Sequence, residues 1–169
     1  DNEAVIDYLT DAISDFLVKL NVREMSDRDA QYVNHVFQAL SDLERIGDYA
    51  EHLQQLTEQQ DEKGVAYTQP AMTELKTITD NAMSLFDRAV AAFYQQNIHL
   101  DELKRMTKTQ RLIRKLTSQS QLNHMERLRT GECGVEAGIL FGEILNSLNR
   151  IGGHAINIAE AATMPQNLE

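Results

Sequence analysis

An all-α fold is predicted by three observations. Apolar residues recur at three- and four-residue steps through most of the chain; the two prolines, Pro70 and Pro165, interrupt none of the long periodic stretches; and no convincing alternating pattern marks a strand. The connections between periodic stretches are short, so consecutive helices should lie antiparallel as neighbours in a bundle.

The elements follow in order. From Ala4 to Leu20 the positions Val5, Leu9, Ile13, Phe16, Leu17 and Leu20 form one apolar face. Ser26 and Asp27 offer an N-cap, with Asp29 in the first turn, for a second helix running to roughly Gln60. The stretch DEKGVAYTQP is the clearest break and ends in Pro70, a residue suited to a first helical turn. A third helix continues to about Gln96, carried by Leu75, Ile78, Ala82, Leu85, Ala89 and Phe93, with Asn97 as its punctuation. The fourth, with Leu103, Met106, Leu112, Ile113 and Leu116, runs towards Leu128. RTGECG reads as a turn, since two close glycines suit a helix C-terminus. The last helix spans about Val135 to Ala162. Met72, Met83, Met106 and Met125 read as packing residues, Asp87 and Arg88 as surface charges, and Cys133 as a small loop residue with no charged base aimed at it.

The chain has 169 residues, enough for a single domain with a real core. Its net charge of −10 argues against nucleic acid as a partner, because phosphate backbones call for a basic surface. The lone cysteine rules out a disulfide framework and fits a reducing compartment. No apolar run approaches the length of about 18 residues that a membrane span needs, and no signal peptide is visible. The sequence starts in helical rhythm without a Met, so a piece of a longer protein is expected.

An internal repeat organises the chain. Residues 42 to 53 read DLERIGDYAEHL and residues 147 to 158 read SLNRIGGHAINI, sharing the frame L-x-R-I-G-x-x-A. At a displacement of 105, Leu40 falls on Leu145, Leu43 on Leu148, Ile46 on Ile151, Gly47 on Gly152 and Ala50 on Ala155. DFLVKL before the first copy also resembles HMERL before the second. This divides the domain into a first repeat, residues 1–66, and a second, residues 67–164. The second has three helices and the first only two, so the opening helix of the first is expected upstream of Asp1.

The copies differ in their acids. Glu44 and Asp48 lie four apart, on one helical face, where like charges repel unless they are solvated, paired or bridged by a cation. Adjacent helical carboxylates are how bundles assemble oxygen-rich sites for hard or borderline metals. His52 extends that line. Glu3, Asp7, Asp11 and Asp15 form a second acidic row, and packing it against the first would make carboxylates converge. The competing reading is a solvated charged face on each helix. No E-x-x-H occurs, which removes the common di-iron arrangement. The second copy has Asn149 and Gly153 where acids would stand, and His154 and Asn157 beside them read as structural. Lys104, Lys108, Arg111 and Lys115 align on one face of the fourth helix with Arg114 beside them, either solvated or facing anionic lipid or an acidic partner.

DLERIGDYAEHL resembles the signature of the PhoU family of phosphate-transport regulators, usually close to D-L-E-R-I-G-D-H-A, with Tyr49 here in place of the His. RLRTGECGVEAGILFGEILNSLNRIGGHAINIAE is similar to the family's second signature, in the version found in C-terminal domains of bacterial sodium/phosphate cotransporters. The resemblance implies six antiparallel helices in two three-helix units related by a pseudo-twofold, the sixth being the helix absent here. It implies metal, iron or another divalent or trivalent ion, at an E/D-x-x-x-D pattern matched by Glu44 and Asp48. Asp7 and Asp11 are expected to complete that site, and none is expected at Asn149 and Gly153.

The function expected from the resemblance is non-catalytic: a cytoplasmic regulatory module of a sodium/phosphate cotransporter, at the cytosolic face of the inner membrane. A free-standing metal-binding regulator of phosphate uptake and signalling is the alternative, and a carboxylate-bridged metalloenzyme a third. The expected partners are a membrane phosphate transporter, fused or separate, and a second copy of the chain. No Gly-rich phosphate loop, Ser-His-Asp order or Cys-x-x-Cys pair points to an enzyme.

Overall fold

Ser26 starts the longest helix as its sequence promises. Its backbone is extended, with φ −67° and ψ 156°, and its Oγ accepts a hydrogen bond from the Asp29 amide. In this computed structural model, which describes residues 2–21, 25–95 and 98–163, five helices follow one another. They are α1 (Asn2–Asn21), α2 (Asp27–Glu62), α3 (Gln69–Gln95), α4 (Leu100–Arg129) and α5 (Val135–Ala161), with no strand among the described residues. The expected punctuation at Asn97 lies outside those residues. Two helices end on a glycine in the left-handed region, where a side chain would be strained: Gly64 at φ 61° after α2 and Gly131 at φ 75° after α4. At each, the next amide reaches back to close the final turn, Val65 to the Gln60 carbonyl and Glu132 to that of Arg127.

The expected antiparallel bundle is observed, with α5 at its centre. α5 packs against α2, α3 and α4; α3 also packs against α4; among the described residues α1 packs against α2 alone. The sequence of α5 accounts for its place. It carries small and apolar residues on nearly every side, and Phe141, Leu145, Ala155 and Ala159 are fully buried. Ile78, Leu85, Met106 and Ile113 meet them from α3 and α4. Each such large side chain contributes roughly 1.5–3 kcal/mol when buried.

Several expectations about individual residues are corrected. Of the proposed apolar face of α1, only Leu17 is buried, while Val5, Leu9, Ile13 and Phe16 are 39–60% exposed. The stripe is there, but α1 turns another face to its single neighbour. Met106 is buried, whereas Met72, Met83 and Met125 are exposed, as is Leu112. Arg88 is no idle surface charge: its Nε and Nη2 donate to Glu102 of α4 at 2.8 and 2.5 Å, and Glu102 also accepts from Arg105. Those two guanidinium groups hold the Glu102 carboxyl below its ordinary range.

Candidate metal centre

The contact of α1 with α2 is set by a glycine. A Cβ at Gly47 would stand 3.2 Å from Ile6 Cδ1, so the missing side chain lets α1 approach closely. The antiparallel register that puts Ile6 on Gly47 also puts Asp7 opposite Asp48. Glu3, one turn earlier in α1, completes a trio, and ligand oxygens of Glu3, Asp7 and Asp48 all lie within 4.8 Å of one another. Asp48 keeps a base at hand, since Arg45 Nη1 donates to its Oδ2 at 3.3 Å.

The trio is electrostatically uncomfortable. A hydrogen bond shared with Asp7 holds the Glu3 carboxyl above its ordinary range; the Asp7 charge, burial, Glu51 and Asp48 push the same way. A groove of about 700 Å³ runs from Glu3 and Ile6 past Gly47, Ala50 and Glu51 to Glu58. Glu3 alone of the trio lines that groove, but the three clustered carboxylates together match the donor set of a hard or borderline cation.

Of the four residues expected at this site, the structure brings Asp7 and Asp48 into the trio, with Glu3 beside them. Glu44 and Asp11 stand outside it. The helical repeat explains this: pairing 7 with 48 places 11 level with 44, one turn further along. Glu44 instead approaches Arg45, at 4.0 Å. Glu3 was legible as the start of the acidic row, yet only the glycine contact fixes which turn of that row meets α2. His52 turns away from the trio towards α5, with Nε2 3.9 Å from Glu143.

The second copy is built differently around its glycine. A Cβ at Gly152 would stand 2.3 Å from Gln110 Oε1 and 3.2 Å from Ile113 Cδ1, so α4 presses on α5 as α1 presses on α2. Gln110 Nε2 donates to the Asn149 carbonyl at 3.4 Å. Around Asn149 and Gly153 the polar neighbour is therefore an amide and not an acid. Asp42, the first residue of the DLERIGDYAEHL segment, acts between the copies. Its Oδ1 is 2.7 Å from His154 Nδ1 and accepts from Asn157 Nδ2 at 2.9 Å. Tyr49 stacks on the same His154 ring, centroid to centroid 5.8 Å. The Tyr that replaces the expected His thus joins the inter-repeat seam.

A second polar cluster, which sequence spacing did not reveal, closes one end of the α3–α4–α5 unit. Arg127, 7% exposed, donates from Nη1 and Nη2 to the two oxygens of Glu74 at 3.2 and 2.9 Å. Asn123 Nδ2 also donates to Glu74, at 2.8 Å. The Arg127 guanidinium lies over the Phe141 ring at 5.5 Å, and His124 stacks on the same ring at 5.1 Å. Burial first, and then Arg127, lowers the His124 pKa from its ordinary value. Tyr67 meets Phe141 edge-on, and burial pushes its phenol up to about 12. Cys133 lies beside this histidine, its Sγ 3.8 Å from His124 Nδ1.

Comparison with known proteins agrees with this architecture. The PhoU domain family matches residues 1–57 and 75–162. The phosphate-specific transport system accessory protein PhoU homolog 1 of Thermotoga maritima is 24% identical over 133 residues, 79% of this chain; the chain spans 56% of that protein's length. The crystal structure of PhoU from Pseudomonas aeruginosa superposes with a TM-score of 0.85 at 22% identity, covering 95% of this chain and 75% of that one. Two glycine-centred crossings in a duplicated helical frame and a family match over most of the length lead to one conclusion: the chain belongs to the PhoU domain family.

Proposed function

We propose that this chain is a non-catalytic regulatory module of phosphate transport, carried at the cytosolic face of a sodium/phosphate cotransporter in the inner membrane. The family match supports the regulatory role, and the name of the Thermotoga maritima relative associates that protein with phosphate-specific transport. The likeness of residues 127–160 to cotransporter domains supports the fused form. No helix among the described residues is long and apolar enough to cross a membrane, so any span would belong to a further part of the protein. The test is phosphate uptake by the whole parent protein in vesicles. Removing this domain should change the uptake rate severalfold, and an unchanged rate would refute the regulatory role.

The observation that carries the reading at residue level is the carboxylate trio. Glu3, Asp7 and Asp48 would hold iron or another divalent or trivalent cation, and such an ion supplies the positive charge that offsets their repulsion. The three residues then tie α1 to α2. Because the Glu3 carboxyl is held above its ordinary range, binding at a pH just above that range should release protons as well as heat. Calorimetry of metal-free protein in two buffers of different ionisation enthalpy measures both. Asp48→Asn is expected to weaken binding roughly tenfold or more, since affinity follows ligand charge. Glu44→Ala, outside the trio, should change it less. Equal effects of the two substitutions would move the site.

The trio also supports a second reading, a free-standing metal-binding regulator of phosphate uptake and signalling. The upstream reading frame separates the two, because hydrophobic spans of about 20 residues there belong to the fused form alone.

A further inference from the structure

α4 combines an acid-free sequence with an unpartnered face. Between Glu102 and Glu126 it contains no Asp or Glu, in a chain that has 26 of them, yet six Lys and Arg: Lys104, Arg105, Lys108, Arg111, Arg114 and Lys115. Arg105 is held by Glu102 at 2.7 Å and Lys104 approaches Asp101 at 3.4 Å. Lys108, Arg111, Arg114 and Lys115 are exposed and make no ion pair among the described residues. Exposed helix faces commonly place acids four residues from bases, and like charges at that spacing repel. Here Lys108, Arg111 and Lys115 stack at such spacings with no counter-charge among the described residues.

The direction of the row is fixed by the core. Met106, Ile113, Thr117, Ser120 and His124 form the buried line of α4, against α3 and α5. At 3.6 residues per turn the row from Lys104 through Lys108, Arg111 and Lys115 lies on the opposite side of the helix. Leu122 extends that row at 60% exposure, and Leu112 and Met125 flank it at 44% and 65%. Basic residues with exposed apolar neighbours along a helix face resemble a segment that lies in a membrane interface.

We propose that the outer face of α4 docks against an anionic phospholipid bilayer, with α4 parallel to the surface and Lys108, Arg111, Arg114 and Lys115 among the headgroup phosphates. Charge and shape both favour this occupant. The chain as a whole carries −10, so an anionic surface repels the rest of the molecule and selects this face. The row is a convex ridge, and the groove at Gly47 and the smaller cavity at His35 and Asp42 are lined by other residues. A ridge of long flexible cations meets a broad field of phosphates. Capture of a single phosphate or carboxylate calls for donors that converge. The inference goes beyond the proposed role in phosphate transport and does not depend on it.

Co-sedimentation of the full chain with vesicles tests it. Binding is expected to phosphatidylcholine vesicles containing phosphatidylglycerol and not to phosphatidylcholine alone, and it should fall steeply with salt. Each cation near such a surface adds about fivefold in partitioning, so Lys108→Gln, Arg111→Gln, Arg114→Gln and Lys115→Gln together should weaken binding about 600-fold. Lys76→Gln, which removes an ion pair with Asp80 on α3, should leave it unchanged. Because all four positions are exposed, the variant should keep its helical circular dichroism. Equal binding to both kinds of vesicle, or undiminished binding of the fourfold variant, would overturn the proposal. So would failure to bind the anionic vesicles, or tighter binding to soluble polyglutamate than to them.

Discussion

The segment around Gly47 in α2 and its counterpart around Gly152 in α5 share a skeleton and differ in surroundings. Ile46 and Ile151 are both buried, and each glycine admits a side chain from a crossing helix. Beyond that they diverge. Ala50 is exposed where Ala155 is fully buried, and Leu40 is half-buried where Leu145 is inaccessible. Among the described residues, α5 is flanked by α2, α3 and α4, whereas α2 is flanked only by α1 and α5. The shared motif specifies a close helix crossing, while burial follows from the number of neighbours. Acids are tolerated where a side stays open to water, as at half-exposed Asp48. A carboxylate at Asn149, whose Oδ1 is buried, would pay desolvation with only an amide for company.

The largest test of this contrast is a matched pair of truncations. Leu145→Ala should cost about 3 kcal/mol and Leu40→Ala about 1, read from urea unfolding, because only the first opens a fully enclosed cavity. Equal losses would mean that the repeats are equally packed.

The glycines offer a smaller and sharper comparison. Gly152→Ala meets both Gln110 and the fully buried Ile113, and should cost about 1–2 kcal/mol despite the gain in helix propensity. Gly47→Ala meets only the tip of Ile6 and should be neutral, or stabilising by up to about 1 kcal/mol. Adding Gln110→Ala to Gly152→Ala should recover part of the loss.

The smallest effects are those of pH, and they carry opposite signs in the two regions. Glu3 has a raised pKa, so the folded chain holds more protons than the unfolded one just above the ordinary Glu range. Stability from this group therefore falls as pH rises through that window. His124 has a lowered pKa, so the unfolded chain takes up its proton first, and stability from this group falls as pH drops through the ordinary His range. In metal-free protein, Asp7→Ala should flatten the first dependence and His124→Gln the second, both followed by thermal melts across pH.

How far the sequence carried the reading depends on the kind of contact involved. Helix boundaries were legible to within a few residues because caps and turns are local: Ser26, Gly64 and Gly131 act on their own neighbours. The shared L-x-R-I-G-x-x-A frame was legible because it is apolar and periodic. Pairing between helices was not. Whether Glu3 or Asp11 faces Asp48 depends on the register of α1 on α2, which Gly47 and Ile6 decide in three dimensions. Glu74 and Arg127 are 53 residues apart, with no spacing rule to join them. The exposure of Val5, Leu9 and Phe16 was equally hidden, since an amphipathic pattern records a face and not the presence of anything to cover it.

The attachment of α1 through one face has a kinetic consequence. With a single neighbour among the described residues, α1 of this chain can detach without unravelling the remainder, so its amides should exchange with solvent through a local opening far cheaper than global unfolding. Asp48 stays behind on α2 when α1 leaves with Glu3 and Asp7. Any cation gripping all three would slow that detachment in proportion to its occupancy, converting an ion concentration into the lifetime of a docked helix.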